Sequence, residues 1–223
     1  MTFNSSLFRL INDDVAAFFI SLLLLLLYYV YLYWRTQRLP ESSVHVLNAK
    51  MRERWVEQIM TKVNLEILAV QTLRNSLMAA NFMASTSILL IIGTLNISDK
   101  IGQSALNWHP HSLSQTFSTE LWQLKLGLLL VDYFIAFFCF SMAIRFYNHV
   151  GYMINLRETE VREARLYKQS CAYLNRAGSY YTFGTRAFFF SLPVILWFFG
   201  PFFLILATVA LVAGLAMLDK VPS

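Results

Sequence analysis

The sequence is poor in charged residues and in cysteine, and each shortage narrows the class of protein. Charged residues make up 14% of the 223-residue chain and hydrophobic residues 57%. That is more apolar surface than a soluble domain can bury. Cys139 lies in an apolar run and Cys171 in a basic segment. Hydrocarbon and a reducing compartment both disfavour a disulfide, so we expect none.

The familiar sequence signatures of catalytic sites are also missing. The chain has no G-x-x-x-x-G-K-[ST], no G-x-S-x-G and no H-E-x-x-H, so an enzyme is the least supported class and no cofactor is implied. His109 and His111 form the only metal-like pair. Because a third ligand at a defined spacing is missing, we predict no metal site.

Net charge does not point to nucleic acid. The formal charge is +5, but the basic residues flank apolar runs, where membrane topology already accounts for them. We therefore predict no nucleic-acid partner and expect membrane lipids, including anionic headgroups, as the surroundings.

Four apolar runs are long enough to cross a bilayer. They are Val15–Trp34, Ser76–Leu95, Leu124–Ile144 and Ala187–Met217. Because lipid offers no hydrogen-bond partner to the backbone, each run must be a helix. The sequence predicts an all-α integral membrane protein, a single membrane domain over residues 1–223.

Lys and Arg set the predicted orientation. The connections 35–75 and 145–186 hold seven each, whereas 96–120 holds only Lys100. By the positive-inside rule the first two are cytoplasmic and the third is outside. We expect two hairpins in a bacterial inner (plasma) membrane, with both termini outside the cytoplasm.

The cytoplasmic connections themselves look helical. An apolar residue recurs every four positions, at Leu47, Met51, Trp55, Ile59, Val63 and Ile67. This pattern predicts an amphipathic helix, with continuation into the second membrane helix as one option. In the 145–186 connection, Gly178 suits a helix stop.

The last apolar run has 31 residues and carries Pro193, Gly200 and Pro201. Its length exceeds the roughly 20 residues that span a hydrocarbon core, so it must be tilted, kinked or broken. Small residues four apart, Ser76, Ala80 and Ala84 on the second helix and Ala210 and Gly214 on the fourth, predict close helix contacts.

Several separated motifs occur in an order that resembles a known family. They are NAKMRERWV (48–56), EILAVQTLRNSLMAA (66–80), SMAIRFYN (141–148) and LPVILWFFGP (192–201). The chain resembles the membrane family called domain of unknown function 599, which occurs in bacteria and plants. The resemblance implies a membrane class and no activity.

Asp132 lies nine residues into the third apolar run, about 13 Å from its start. An unpaired carboxylate at that depth is costly, so it should face the bundle or a wet cavity. One interpretation is a proton or cation site. The other is a hydrogen-bonded packing residue with Asn81, Ser85 or Thr86 as partners.

Arg74, Arg145 and Arg186 lie at the predicted cytoplasmic mouths of three membrane helices, and Gln71 and Asn75 are neighbours of Arg74. Such a cluster can bind lipid phosphates or an anionic solute. The alternative is ordinary snorkelling at helix ends.

Two functions remain open at this point. The first is a binding or assembly subunit, a scaffold or accessory protein, that packs as a homo-oligomer or in a larger membrane complex, with the amphipathic helix as a docking surface. The second is an oligomeric channel or carrier for a small ion or anionic solute, with Asp132 on the path and the break at Pro193, Gly200 and Pro201 as a gate.

Overall fold

The computed structural model describes residues 2–38, 43–62, 64–104, 119–156 and 160–220. This part of the chain forms six helices: α1 (Thr2–Arg38), α2 (Val44–Thr61), α3 (Glu66–Ser104), α4 (Thr119–Met153), α5 (Glu160–Trp197) and α6 (Pro201–Leu218). Four of them contain segments long and apolar enough to cross a membrane: Asp13–Arg38, Glu66–Ser98, Leu121–Met153 and Pro201–Leu218. The prediction of an all-α membrane protein with about four candidate spans is confirmed.

The long helices pack in the order α3, α4, α5, α6, α1, with α4 and α5 as the most extensive pair. Two side-chain groups mark the two ends of this bundle. Asp14, Lys125 and Trp197 meet at one, which we call the Trp197 end. Tyr28, Arg186 and Asp219 meet at the other, the Asp219 end.

These marker residues give the direction of each helix. Along α1, Asp14 lies at the Trp197 end and Tyr28 lies at the Asp219 end, so α1 runs from the Trp197 end to the Asp219 end. The second half of α5 runs from Arg186 at the Asp219 end to Trp197 at the Trp197 end. Helix α6 then runs in the opposite direction, to Asp219. The bundle therefore contains five helix segments between its ends, one more than the apolar runs indicate.

Of the options left open for the apolar run 187–217, the broken helix is the one observed. Helix α5 ends at Trp197 and α6 begins at Pro201. Gly200 has φ 142°, a backbone conformation that favours glycine, and Pro201 cannot donate a hydrogen bond into α5. Because the chain reverses at residues 198–200, the run makes two antiparallel helices.

That reversal also changes where the chain ends. Asp14 near the start of α1 lies at the Trp197 end, whereas Asp219, just after α6, lies at the Asp219 end. The prediction that both termini lie on one side is therefore wrong for the described chain between these residues. The first predicted hairpin is also replaced, since α1 packs extensively against α6 and not against α3.

Helix α2 is separate from α3. It ends at Thr61, Lys62 is extended, and Asn64 has φ 70°, a left-handed conformation that a continuous helix does not contain. Gly178, predicted as a helix stop, lies inside α5. Glycine is found inside this helix because Arg52 packs closely against the position.

Candidate functional site

Asp132 lies in the α4 span, in the predicted apolar surroundings. Its Oδ2 atom is buried and has no hydrogen-bond partner among the described residues. Asn81 and Ser85 lie on an exposed face of α3, and Thr86 Oγ1 donates to Phe82 O at 2.9 Å. None of the three predicted partners forms a hydrogen bond to Asp132. The packing role of Asp132 therefore stays a prediction.

The three predicted arginines do not form one site in the part of the chain that is described. Arg186 Nη2 pairs with Asp219 Oδ1 at 2.5 Å. Arg74 and Arg145 are exposed, as are Gln71 and Asn75. A shallow groove on α3 is lined by Glu66, Ile67, Val70, Gln71 and Arg74. Of the residues predicted to bind an anion, Gln71 and Arg74 line this groove together on α3.

At the Trp197 end, three side chains from three helices surround the break between α5 and α6. Trp197 Nε1 donates to Asp14 Oδ1 at 2.6 Å, and Lys125 Nζ lies 3.4 Å from the same oxygen. Lys125 Nζ also donates to the Trp197 carbonyl oxygen at 3.2 Å and lies 4.6 Å from the indole centre. Lysine therefore caps the last carbonyls of α5, where a cation is favoured.

The break carries the residues predicted as a kink or gate. Pro193 is buried within α5, two turns of chain before Gly200 and Pro201. The Trp197 carbonyl accepts both Lys125 Nζ at 3.2 Å and Gly200 N at 3.1 Å. The Trp197 carbonyl at the break therefore has hydrogen-bond donors within the protein, as is typical of a fixed turn. A gating role is a prediction that this geometry leaves open.

At the Asp219 end, one carboxylate holds three helices together. Tyr28 Oη of α1 donates to Asp219 Oδ2 at 2.5 Å, and Arg186 of α5 pairs with the other oxygen. Ser43, just before α2, forms an isolated antiparallel bridge with Lys220. Sequence reasoning missed Asp219, because its pairing with Tyr28 joins residues 191 positions apart.

The amphipathic face of α2 packs on its own chain. Val56 and Ile59 are buried against six residues from α3, from α4 with the turn that follows it, and from α5: Ala69, Leu73, Val150, Ile154, Cys171 and Leu174. Met51 of α2 and Ile67 of α3, both in the predicted stripe, are exposed. That the stripe docks a partner outside the chain stays a prediction.

Polar contacts lock α2 to α5. Arg52 Nε donates to Asn175 Oδ1 at 2.8 Å, and Asn175 Nδ2 donates to Glu53 Oε1 at 3.0 Å. A Cβ on Gly178 would lie 2.6 Å from Arg52 Nη1, so the guanidinium would have to shift to make room for it. Beside this contact, burial raises the pKa of the Cys171 thiol.

Small residues behave differently on the two helices where they were noticed. Ala80 and Ala84 of α3 are buried, and Ala84 packs with Ala136 of α4. Ala210 and Gly214 of α6 are exposed. The close contact predicted for α3 is therefore made within the chain.

The exposed face of α3 carries polar groups at span depth. Asn81 and Ser85 are exposed one helical turn apart, inside the Glu66–Ser98 span. Other hydroxyls of α3 bond to the carbonyl four residues earlier, as Ser87 Oγ does to Met83 O at 2.9 Å. Asn81 and Ser85 make no such bond within the part of the chain that the structure describes. Sequence reasoning named Asn81 but assigned it to Asp132.

His109 and His111 lie outside the described residues, as does most of the predicted outside loop 96–120.

Comparison with known proteins gives a family. The model of the family described as "Protein of unknown function, DUF599" matches residues 16–222. No curated protein and no solved structure matches the chain.

Proposed function

The chain belongs to the family described as "Protein of unknown function, DUF599", and from that premise we propose that it is a membrane assembly subunit that associates through the exposed face of α3. Its role in this proposal is that of a scaffold or accessory protein. The observation that carries it is the exposure of the Asn81 amide and the Ser85 hydroxyl within an apolar span.

Lipid chains cannot hydrogen-bond to these groups. An amide or hydroxyl left without a partner in an apolar medium costs several kcal/mol on alkane scales, roughly 4–8. Polar side chains on membrane helices commonly regain that energy by hydrogen-bonding across a helix interface. A helix partner against Asn81 and Ser85 would supply the missing bonds.

The other spans offer a contrast. The exposed residues at the middle of α1 are aliphatic, among them Leu22, Leu23 and Leu26. On α4 the exposed side chains include Val131, Phe134 and Phe138. These surfaces suit lipid without any partner. An outward-facing amide at such depth on α3 therefore favours α3 as the association surface.

The intramolecular docking of α2 strengthens this choice. The sequence alone makes the amphipathic stripe the main candidate for a partner surface. Val56 is fully buried and Ile59 is 7% exposed against the other helices. This packing of α2 within the chain supports the choice of the membrane span of α3 as the association surface.

The orientation in the membrane is part of the proposal. The Asp219 end is continuous with α2 and with the first half of α5, which carry the basic residues Arg52, Arg54, Arg165 and Lys168. By the positive-inside rule we place this end in the cytoplasm of a bacterial inner membrane. At that level Arg74, Gln71 and Asn75 would face anionic lipid headgroups.

The test is the molecular mass of the protein in native membrane particles extracted without detergent. We expect a complex heavier than one chain, and a smaller fraction of it for Asn81→Leu combined with Ser85→Ala. Phe138→Leu on the exposed face of α4 is the matched control and should leave the complex unchanged. A single, lone chain in the wild-type particles rules the proposal out.

A second candidate is an oligomeric channel or carrier for a small ion or anionic solute. What favours it is Asp132, whose buried Oδ2 has no hydrogen-bond partner among the described residues and lies on a membrane helix. Intramembrane carboxylates often mark ion or proton paths. Liposome flux of protons and K⁺ through wild type and Asp132→Asn tests it. Absence of flux in both eliminates this candidate.

A further inference from the structure

We propose that the partner of α3 is a second copy of this chain, packed in parallel so that the two α3 helices meet along a seam centred on Asn81 and Ser85. This inference rests on the proposed function and names its partner. The α3 seam consists of Met78, Asn81, Ser85, Ile88, Ile92 and Leu95.

Spacing is the first argument. The seam residues follow one another at intervals of three, four, three, four and three, which is the repeat of left-handed helix pairs. All six are exposed, with Met78 at 62% and Ile92 at 50%. Residues Ala80, Ala84 and Ile91 face inward and are buried. Helix α3 thus presents a continuous seam on a different side from the one that contacts its own bundle.

Position in the bundle is the second argument. Helix α3 lies at one end of the packing order and packs extensively with α4 alone. A second helix can approach its exposed side without displacing another element of the described chain. The seam lies on the membrane-spanning part of α3, between residues 66 and 98.

Self-complementarity identifies the occupant. An Asn side chain carries both an N–H donor and a carbonyl acceptor, and a Ser hydroxyl can also do both. Two copies inserted in the same orientation place Asn81 at one depth, so each amide meets the other across a two-fold axis. A core-position Asn in paired helices is known to set register and oligomeric state in this way. A partner of another sequence has no such built-in match.

Cysteine cross-linking in native membranes tests the seam. The only natural cysteines, Cys139 and Cys171, are buried, so the wild type gives the background. We expect Met78→Cys, Ser85→Cys and Ile92→Cys to form an oxidised dimer of twice 25.8 kDa. Ala79→Cys and Thr86→Cys on a different side of the same helix are the matched controls and should form little dimer.

Dimer affinity in liposomes of graded protein density gives a second measurement. Loss of the interhelical amide contact in Asn81→Leu should weaken association by about 3- to 30-fold. Thr86→Val removes a hydroxyl of α3 that bonds to Phe82 O and lies off the seam, and it should leave the affinity unchanged. An unaltered helix content of Asn81→Leu, measured by circular dichroism, confirms that the variant is folded.

The outcomes separate this inference from the proposed function. Cross-linking that follows the seam and weakens with Asn81→Leu supports both. Equal cross-linking at Ala79 and Ser85, or none at either, overturns the second-copy inference. If a different membrane protein then accompanies the chain and is lost from Asn81→Leu, the assembly function survives without the self-pairing. If no partner of either kind is present, both fail.

Discussion

Arg186 of α5 and Asp219, the residue after α6, form an ion pair with Nη2 and Oδ1 2.5 Å apart. Both side chains are largely buried, at 17% and 16% exposure. The pair neutralises an arginine that stands in an otherwise apolar half of α5. It also joins the end of α6 to α5, and through Tyr28 to α1.

We predict that breaking this pair from one side destabilises the bundle. Arg186→Gln leaves the Asp219 carboxylate partly buried without its cation, and the expected loss in the free energy of unfolding is about 3 kcal/mol. The measurement is thermal unfolding in lipid particles. Arg145→Gln, an exposed arginine on α4, should change stability by less than about 0.5 kcal/mol.

A double substitution sharpens that prediction. Arg186→Leu combined with Asp219→Leu removes both charges, and we expect it to be more stable than either single variant. Additive effects of the two single changes would show that the ion pair does not couple α5 to α6.

The reversal at Gly200 makes a prediction for topology. Because α6 returns from the Trp197 end, a reporter fused after residue 220 should lie on the same side of the membrane as a label at Lys50. A label at Asp13 should be reached from the opposite side. A C-terminal reporter on the Asp13 side would contradict the hairpin of α5 and α6.

Substitution of Gly178 should be destabilising for steric reasons. Gly178→Ala puts a Cβ at 2.6 Å from Arg52 Nη1, so the guanidinium must leave its hydrogen bond to Asn175. We expect a loss of roughly 1–3 kcal/mol in unfolding experiments.

The matched control for Gly178 is Gly151 of α4, where an added Cβ meets nothing within 4 Å. Gly151→Ala should be stabilising by about 0.5–1 kcal/mol because alanine is the better helix former. The same sign of change at both glycines would refute the contact between Arg52 and Gly178.

Cys171 offers a probe of the α2 contact. It is buried beside α2, and burial raises the pKa of its thiol above the ordinary value of 9.0. Because the thiolate is the reactive form, alkylation at pH 8 should be slow in the folded protein and faster after unfolding. Site-resolved mass spectrometry of iodoacetamide labelling measures both rates.

Variation of pH gives the sign of that shift. Between pH 7 and pH 10 the labelling rate of folded Cys171 should rise at higher pH than the rate in the unfolded chain. Gly178→Ala, which loosens α2, should bring the folded rate toward the unfolded one. A folded profile that coincides with the unfolded profile would show that α2 does not cover the thiol.

Local chemistry explains how much the sequence predicts. The runs Val15–Trp34, Ser76–Leu95 and Leu124–Ile144 must be helices in lipid, because a backbone there can satisfy its hydrogen bonds only within itself. Their residues fall inside α1, α3 and α4. Gly200 and Pro201 likewise signalled a break, since one favours an unusual φ and the other cannot donate.

The direction of the chain after that break depends on distant partners. Hydropathy does not reveal that the second half of α5 runs between the two ends of the bundle, because Arg186 lowers its apolar content. Only the fold shows that Asp219 compensates for this charge. The same holds for Lys125, whose partners Asp14 and Trp197 lie 111 and 72 positions away.

The amphipathic stripe and Asn81 illustrate the same limit. Periodicity predicts that one face of α2 is covered, and the cover is the cluster of buried residues around Val56. Periodicity alone did not show that Asn81 faces outward while Ala80 and Ala84 face α4.

The sequence by itself determined that this protein is helical and lies in a membrane, because a low-dielectric solvent imposes that on every long apolar run. The tertiary structure decided how many segments pass between the two ends of the bundle, what pairs with each buried charge and which side of α3 stays exposed. Those are relations between residues far apart in the chain, and packing between helices sets them, not the local properties of any one segment.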